Sequence, residues 1–243
     1  MMHSAWFGEF IGTLVLILLG NGVNAGVTLR KSYAADAGWM VVTTGWAIAV
    51  LCGVLTAQAF GSPGANLNPA ITLSTAVSSG DYSHLLSLWS AQMLGAIFGA
   101  ALMALHYAPH WSITPDPAAK LGVFCTNGAV HHPISNFVGE VIGTMVLVVV
   151  AGAIFSHGVS NSGPAAGMGQ WLVGSLVWGI GLSLGGTTGY AINPARDLGP
   201  RLAHALLPIP GKGGSNWSYA AIPVLGPLTG GVLAGVLLHF AKL

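Results

Sequence analysis

Long apolar stretches separated by short polar or turn-rich segments dominate the pattern along this chain. Six stretches are long enough to cross a bilayer as helices, which takes about 20 residues each. They are Ala5–Leu29, Trp39–Phe60, Leu85–Tyr107, Phe137–Phe155, Met168–Leu184 and Tyr219–Phe240. Runs such as Leu14–Leu19 lack the alternation of a membrane β-strand. The pattern therefore predicts an all-α integral membrane protein with six transmembrane helices.

Two shorter apolar runs each begin with the tripeptide Asn-Pro-Ala. The tripeptides are Asn68-Pro69-Ala70 and Asn193-Pro194-Ala195. Asparagine is a favourable N-cap, and proline suits the first helical position, where its missing N–H costs nothing. The runs end near Ser78 and Leu207, which is too short to span a bilayer. They predict two re-entrant half-helices and a pore or transport site at the membrane midplane.

The two halves of the chain repeat each other. The segment Phe7–Thr13 matches Val138–Thr144, so that Glu9 corresponds to Glu140. Each unit contains three full spans, and an odd number makes the second copy enter the membrane from the opposite side, as an inverted repeat. We expect one channel domain over residues 1–243, with repeats at roughly 1–110 and 133–243 and a connecting loop at 108–132.

Composition restricts the function classes. Hydrophobic residues make up 53% of the chain and charged residues 5%, against about 25% charge in a soluble domain. A net charge of +1 provides no basic field for nucleic acid. The two cysteines, Cys52 and Cys125, are expected to be free, and the nine histidines lack metal-ligand spacing. We expect no enzyme activity, no metal and no cofactor.

The residues around the two half-helix starts resemble the signature loops of the aquaporin (major intrinsic protein) family. The matching segments are Gly64–Ala70 and Gly189–Pro200, and the two glutamate motifs, Gln92 and the six-span layout also fit. Arg196-Asp197, together with the filter residues named below, is similar to the glycerol-facilitator (aquaglyceroporin) branch. The resemblance covers nearly the whole chain and implies an aquaporin-like fold.

A pore of this kind can be described residue by residue. Backbone groups at membrane depth must be paired or face water. The approach segments are expected to turn a ladder of carbonyls towards the lumen, from Gly64, Ala65, Asn66, Leu67, Gly189, Ala191 and Ile192. Glycines 64 and 189 are expected to allow unusual backbone angles. Asn68 and Asn193 are expected to present amide donors, and Glu9 and Glu140 to accept loop N–H groups.

The resemblance also implies a selectivity filter. Arg196, Tyr190 and Gly181 fall at family filter positions, and Trp46 is the choice for the position on the second helix. Trp46 and Tyr190 are expected to form an aromatic corner, Arg196 to donate to hydroxyls, and Gly181 to leave width. Two residues depart from the family pattern: Tyr190 replaces a common phenylalanine, and Asn66 replaces a frequent histidine.

The expected function is passive conduction of glycerol, similar small uncharged solutes and water, with ions and protons excluded. Urea, dihydroxyacetone, hydrogen peroxide and lactic acid are further candidate solutes. The resemblance implies a homotetramer with one pore per subunit in the cell (plasma) membrane. Three alternatives stay open: a water-dominated channel, a proton-coupled secondary transporter using Glu9 or Glu140, and a non-conducting adhesion protein.

Overall fold

The structure is a computed structural model that describes residues 3–242, and this part of the chain consists of helices and connections without strands. The helices are α1 (Ala5–Thr28), α2 (Trp39–Ala59), α3 (Pro69–Ser79), α4 (Leu85–His106), α5 (Ala108–Ile113), α6 (Pro117–Phe124), α7 (Pro133–Phe155), α8 (Met168–Ser183), α9 (Pro194–Leu206) and α10 (Ala221–Ala241).

The six predicted transmembrane stretches are all helical. They correspond to α1, α2, α4, α7, α8 and α10, and α7 begins four residues earlier than predicted, at Pro133. Among the described residues, five of these helices are long and apolar enough to cross a membrane by themselves. The exception is α8, whose 16 residues extend for only about 24 Å. The chain beyond α8 continues as turns towards the second Asn-Pro-Ala.

Both half-helices begin where the sequence predicts. Helix α3 has Asn68 as its N-cap and Pro69 as its first residue, and α9 has Asn193 and Pro194 in the same places. They contain 11 and 13 residues, about half the length that a bilayer requires. Helix α3 ends at Gly80, whose φ of 78° is the left-handed conformation favourable to glycine.

The two repeats interlock through their half-helices. Helix α3 of the first repeat packs against α10 of the second, and α9 of the second packs against α4 of the first. Within each repeat the first and last spans cross closely, α1 with α4 and α7 with α10. A Cβ atom added to Gly95 would lie 2.3 Å from the carbonyl oxygen of Phe10, and one added to Gly230 would lie 2.6 Å from that of Val141. Only glycine permits these crossings.

The segment predicted as a connecting loop contains two short helices, α5 and α6. Asp116 caps α6 through its side chain, and Pro117 is the first helical residue, so the sequence carries the same start signal here as at the two half-helices. Helix α6 packs against α1 and α9 and buries Phe124 completely. The segment therefore packs over α1 and α9, two of the helices that carry the site.

Candidate functional site

The chain approaches the first half-helix in an unusual backbone conformation held by Glu9. Ala65 and Leu67 have φ values of 41° and 53°, in the left-handed region, whereas Gly64 is outside it. The expectation that Gly64 supplies the unusual angle was wrong. The carboxylate of Glu9 accepts from the backbone N–H groups of Asn66 and Leu67, both at 2.7 Å. Bonds to a charged acceptor offset the cost of a strained backbone, about 1–3 kcal/mol per residue.

The second approach segment repeats this arrangement around Glu140. Its carboxylate accepts from the N–H groups of Ala191 at 3.0 Å and Ile192 at 2.7 Å. Left-handed φ values occur at Gly189 (77°), Tyr190 (38°) and Ile192 (43°). The hydrogen bonds expected of the two glutamates are therefore present in both halves. Because the N–H groups of each segment point to the carboxylate, its carbonyls are free to face the other way.

Asn68 and Asn193 connect the two loops at the centre of the fold. Each side-chain oxygen accepts from the backbone N–H two residues ahead, at Ala70 and Ala195. Each side-chain amide donates to the residue that precedes the other asparagine: Asn68 Nδ2 to Ile192 O and Asn193 Nδ2 to Leu67 O, both at 2.8 Å. One N–H of each amide is thus used between the loops, which leaves one for the lumen.

A cavity with a volume of about 580 Å³ passes these residues. It extends from Trp46, Tyr190 and Arg196, past Asn68 and Asn193, to residues at the last turns of α3 and α7. Six of the seven residues predicted for the carbonyl ladder line it, namely Gly64, Ala65, Asn66, Leu67, Ala191 and Ile192. Gly189 does not line this cavity and lies beside Thr126. Pro69, Ala70, Pro194 and Ala195 are buried behind the lining.

Trp46 and Arg196 form one end of the cavity. The guanidinium carbon of Arg196 lies 4.0 Å from the centroid of the Trp46 ring, a cation–π contact worth about 0.5–2 kcal/mol. Arg196 is the third residue of α9, and its Nη1 is buried with no hydrogen-bond partner among the described residues. A buried donor without a partner is costly unless a molecule in the cavity accepts from it. The apolar ring face of Trp46 therefore lies next to Arg196 Nη1, a hydrogen-bond donor without a partner.

Gly181 is placed differently from the expectation. It does not line the cavity, because the ring of Tyr190 lies against it: a Cβ atom at position 181 would be 2.8 Å from Tyr190 Cζ. Gly181 therefore makes room for Tyr190 rather than widening the lumen directly. Trp39 packs edge-on against the same ring at 5.8 Å and donates from Nε1 to the carbonyl of Gly181.

Sequence reasoning missed a buried ion pair that fixes the connections after α6 and after α9. Asp197 pairs with Arg201 at 2.8 Å, with both side chains fully buried. Asp197 also accepts from the backbone N–H and the hydroxyl of Thr126, and Arg201 donates to the carbonyls of Thr126 and Ser215. The i, i+4 spacing of opposite charges in the apolar sequence was the available signal. The network ties α9 to the segment after α6.

Four further polar residues make buried hydrogen bonds. Ser62 and Gln92 donate to Glu9, each at 2.8 Å, while Asn21 and Asn24 of α1 donate to the carbonyls at the end of α6. The signal for the asparagines was two amides within an apolar span. Over residues 3–242, no group of three or more His, Cys, Asp and Glu side chains is arranged to hold a metal ion.

Comparisons with known proteins agree with this architecture. The family model described as "Major intrinsic protein" matches residues 2–238. The glycerol uptake facilitator protein of Bacillus subtilis (strain 168) is 51% identical over 240 residues, covering 98% of this chain and 85% of that protein. Glycerol uptake facilitator protein 3 of Lactiplantibacillus plantarum is 51% identical over 233 residues, covering 96% and 94%. The X-ray structure of the aquaglyceroporin from Plasmodium falciparum has a TM-score of 0.83 at 25% identity, covering 96% and 94%.

An inverted repeat with two facing half-helices around a lined cavity defines an aquaporin-like membrane protein. The chain belongs to the major intrinsic protein family. The family membership and the fold class predicted from the sequence are thereby confirmed.

Proposed function

We propose that this protein is a passive channel that conducts glycerol, similar small uncharged solutes and water, and excludes ions and protons. The observation that carries the proposal is the contact between Trp46 and Arg196 at the end of the cavity. A polyol has an alkyl side and a hydroxyl side. The indole face suits the alkyl side, and the guanidinium donates to the hydroxyls. The 51% identity to glycerol uptake facilitator proteins supports the same solute class.

The lumen beyond this end supplies exchangeable hydrogen bonds. Six loop residues predicted for the ladder line the cavity, and the amides of Asn68 and Asn193 face it between the two loops. A neutral hydroxyl compound exchanges its water contacts for these acceptors and donors at little net cost. The proposed roles are the filter for Trp46, Tyr190 and Arg196, with Gly181 as the support of Tyr190, and the ladder for the loop residues.

Charge exclusion follows from the half-helices. Helices α3 and α9 contact each other and have their N-terminal ends at Asn68 and Asn193, beside the cavity. Each N-terminus is equivalent to about half a positive charge, and Arg196 adds a full one. A cation entering the lumen therefore meets a repulsive potential, and a proton is disfavoured for the same reason.

The domain organisation, the oligomeric state, the membrane location and further solutes are also proposed. We infer that residues 1–243 form one channel domain, that four copies assemble with one pore in each, and that the protein resides in the plasma membrane. Urea, dihydroxyacetone, hydrogen peroxide and undissociated lactic acid are small and neutral, so the same pore chemistry suits them. Relatives named as glycerol facilitators support the polyol as the first solute to test.

A proton-coupled transporter is the rival of a different class, since it would use Glu9 or Glu140. Glu9 accepts four hydrogen bonds, from Ser62, Asn66, Leu67 and Gln92, and is 1% exposed. A carboxylate occupied in this way is better suited to holding a loop than to relaying protons. A water-dominated channel is the rival within the fold, and the size of Tyr190 at the cavity is the observation that favours it.

Uptake of radiolabelled glycerol into proteoliposomes separates a channel from a coupled transporter. The protein should equilibrate glycerol across the membrane to equal concentrations, with the same end point when a proton gradient is imposed in either direction. Accumulation above the external concentration that follows the proton gradient would overturn the proposal. Vesicles without protein provide the control for leakage.

A further inference from the structure

Two asparagines in the apolar span α1, Asn21 and Asn24, donate to the end of α6 and line no part of the cavity. Asn21 and Asn24 are 0% and 8% exposed. Burying an amide without hydrogen bonds destabilises a protein, because the lost bonds to water are not replaced. Two such groups one turn apart in a membrane helix therefore need a specific reason to be there.

The two asparagines make different contacts. Asn24 Oδ1 accepts from the indole Nε1 of Trp46 at 3.0 Å, and Asn24 Nδ2 donates to the carbonyl of Val123 at 3.3 Å. Asn21 Nδ2 donates to the carbonyl of Phe124 at 3.2 Å, and its Oδ1 has no partner among the described residues. Both side chains thus hold the end of α6, but only Asn24 also holds Trp46.

The position of Trp46 is fixed on three sides. The six-membered ring lies against α1 at Gly20, where an added Cβ atom would be 2.4 Å from Trp46 Cζ3. The guanidinium of Arg196 lies over a ring face at 4.0 Å. The only polar atom of the indole is the N–H, and Asn24 accepts it. The indole therefore has no donor left for a molecule in the lumen, and the donors without a partner at this end of the cavity are Arg196 Nη1 and the Tyr190 hydroxyl.

We propose that Asn24 is a specificity-determining positioning residue. By accepting the indole N–H of Trp46, it keeps the side of the lumen formed by the Trp46 ring apolar. An apolar surface at this position favours glycerol over water. The inference rests on the proposed glycerol-conducting function. Without Asn24 the N–H becomes an unpaired buried donor. It regains a partner when the ring turns or when a water molecule binds beside the filter. Either change removes apolar surface from the side of the lumen that the alkyl side of a polyol contacts, whereas water does not depend on that surface.

The test measures glycerol and water permeability in parallel on proteoliposomes with equal amounts of inserted protein. Asn24→Val removes the acceptor, and the glycerol-to-water permeability ratio should fall about three- to tenfold, which equals about 0.7–1.4 kcal/mol and lies within the range for one hydrogen bond. Asn21→Val is the matched control and should leave the ratio unchanged. Asn24→Ala removes the same acceptor with a smaller side chain, so it gives the same readout if the valine variant inserts poorly.

A double-mutant cycle with Trp46→Phe identifies the route of the effect. Phenylalanine has no N–H, so Asn24→Val should not lower the ratio further in the Trp46→Phe background. An equal fall in both backgrounds would show that Asn24 acts through Val123 and α6, and would overturn the inference. An unchanged ratio in Asn24→Val and Asn24→Ala would overturn it as well. If the unmodified protein does not conduct glycerol, the proposed function falls and this inference falls with it.

Discussion

The ring of Tyr190 occupies the space that a side chain at Gly181 would need. A Cβ atom there would lie 2.8 Å from Tyr190 Cζ and 3.0 Å from its hydroxyl oxygen. Gly185 makes room in the same way, since its Cβ atom would lie 2.5 Å from Tyr190 Cδ1. Gly181 of α8 and Gly185 of the turn after it thus leave space for a large aromatic ring that still lines the cavity. The width at this level therefore depends on the pair of positions 181 and 190.

Gly181→Ala should lower glycerol conduction more than water conduction. The added methyl group pushes the Tyr190 ring towards the lumen, because the neighbouring Thr43 Cγ2 would also lie only 3.0 Å from it. Stopped-flow rates for both solutes give the comparison. Gly179→Ala on the same helix is the control, since a Cβ atom there would have nothing within 4 Å. Equal losses for glycerol and water would contradict this account of the width.

Arg196→Ala should reduce discrimination between solutes at the cavity end. It removes the positive charge and the unused donor beside Trp46. A five-carbon polyol such as xylitol should gain permeability relative to glycerol by about tenfold, or about 1.4 kcal/mol, because alanine leaves more room for the longer molecule at this end of the cavity. Proton entry, followed with a pH-sensitive dye trapped in the vesicles, should also rise. If solute selectivity and proton leak are unchanged in Arg196→Ala, Arg196 is not part of the selectivity filter.

Glu140→Gln should destabilise the second loop. An amide side chain has one acceptor oxygen, so the N–H groups of Ala191 and Ile192 would no longer both have a carboxylate oxygen. An orphaned buried N–H costs about 1–3 kcal/mol, and thermal unfolding in detergent should occur at a lower temperature. Asp81→Asn provides the control, because Asp81 is exposed and its hydrogen bonds are local ones with Ser83. An unfolding midpoint of Glu140→Gln equal to that of Asp81→Asn would contradict the role of Glu140 in supporting the second loop.

Cys125 should resist alkylation in the folded protein. Burial, and secondarily the charge of Asp197, raises the pKa of the Cys125 thiol to about 12. The thiolate is the reactive form. At about pH 8 the fraction ionised is therefore far below that of a free cysteine, whose pKa is about 8.5. Mass spectrometry after iodoacetamide treatment should find Cys125 unmodified until the protein is unfolded. Rapid modification of folded protein would show that the segment after α6 opens readily.

The spans and half-helices could be predicted because each rests on a local signal. Apolar length identifies a transmembrane helix, and an asparagine cap followed by proline identifies the start of α3 and α9. The hydrogen bonds of Glu9 and Glu140 were expected from the repeated motif and the family resemblance. The spans and half-helices depend little on contacts between distant parts of the chain. The glutamate contacts are long-range, but the same motif occurs in both repeats and so indicates them twice.

The parts that sequence reasoning missed depend on distant contacts. Nothing next to Gly181 in the sequence indicates that Tyr190 fills its space, and the bond from Trp46 to Asn24 joins two helices. The bonds of two loop lysines are also long-range or depend on the folded loop: Lys120 donates to the carbonyls of Pro210 and Gly211, and Lys212 donates to three carbonyls at the end of α9.

Stopped-flow light scattering on proteoliposomes tests the central claim most directly. Vesicles are challenged with an impermeant osmolyte in one series and with glycerol in the other. A glycerol-conducting pore should give rapid shrinkage in both series, followed in glycerol by rapid reswelling with a low activation energy. Rapid shrinkage with glycerol reswelling no faster than in protein-free vesicles would contradict it, and would identify a water-dominated channel instead.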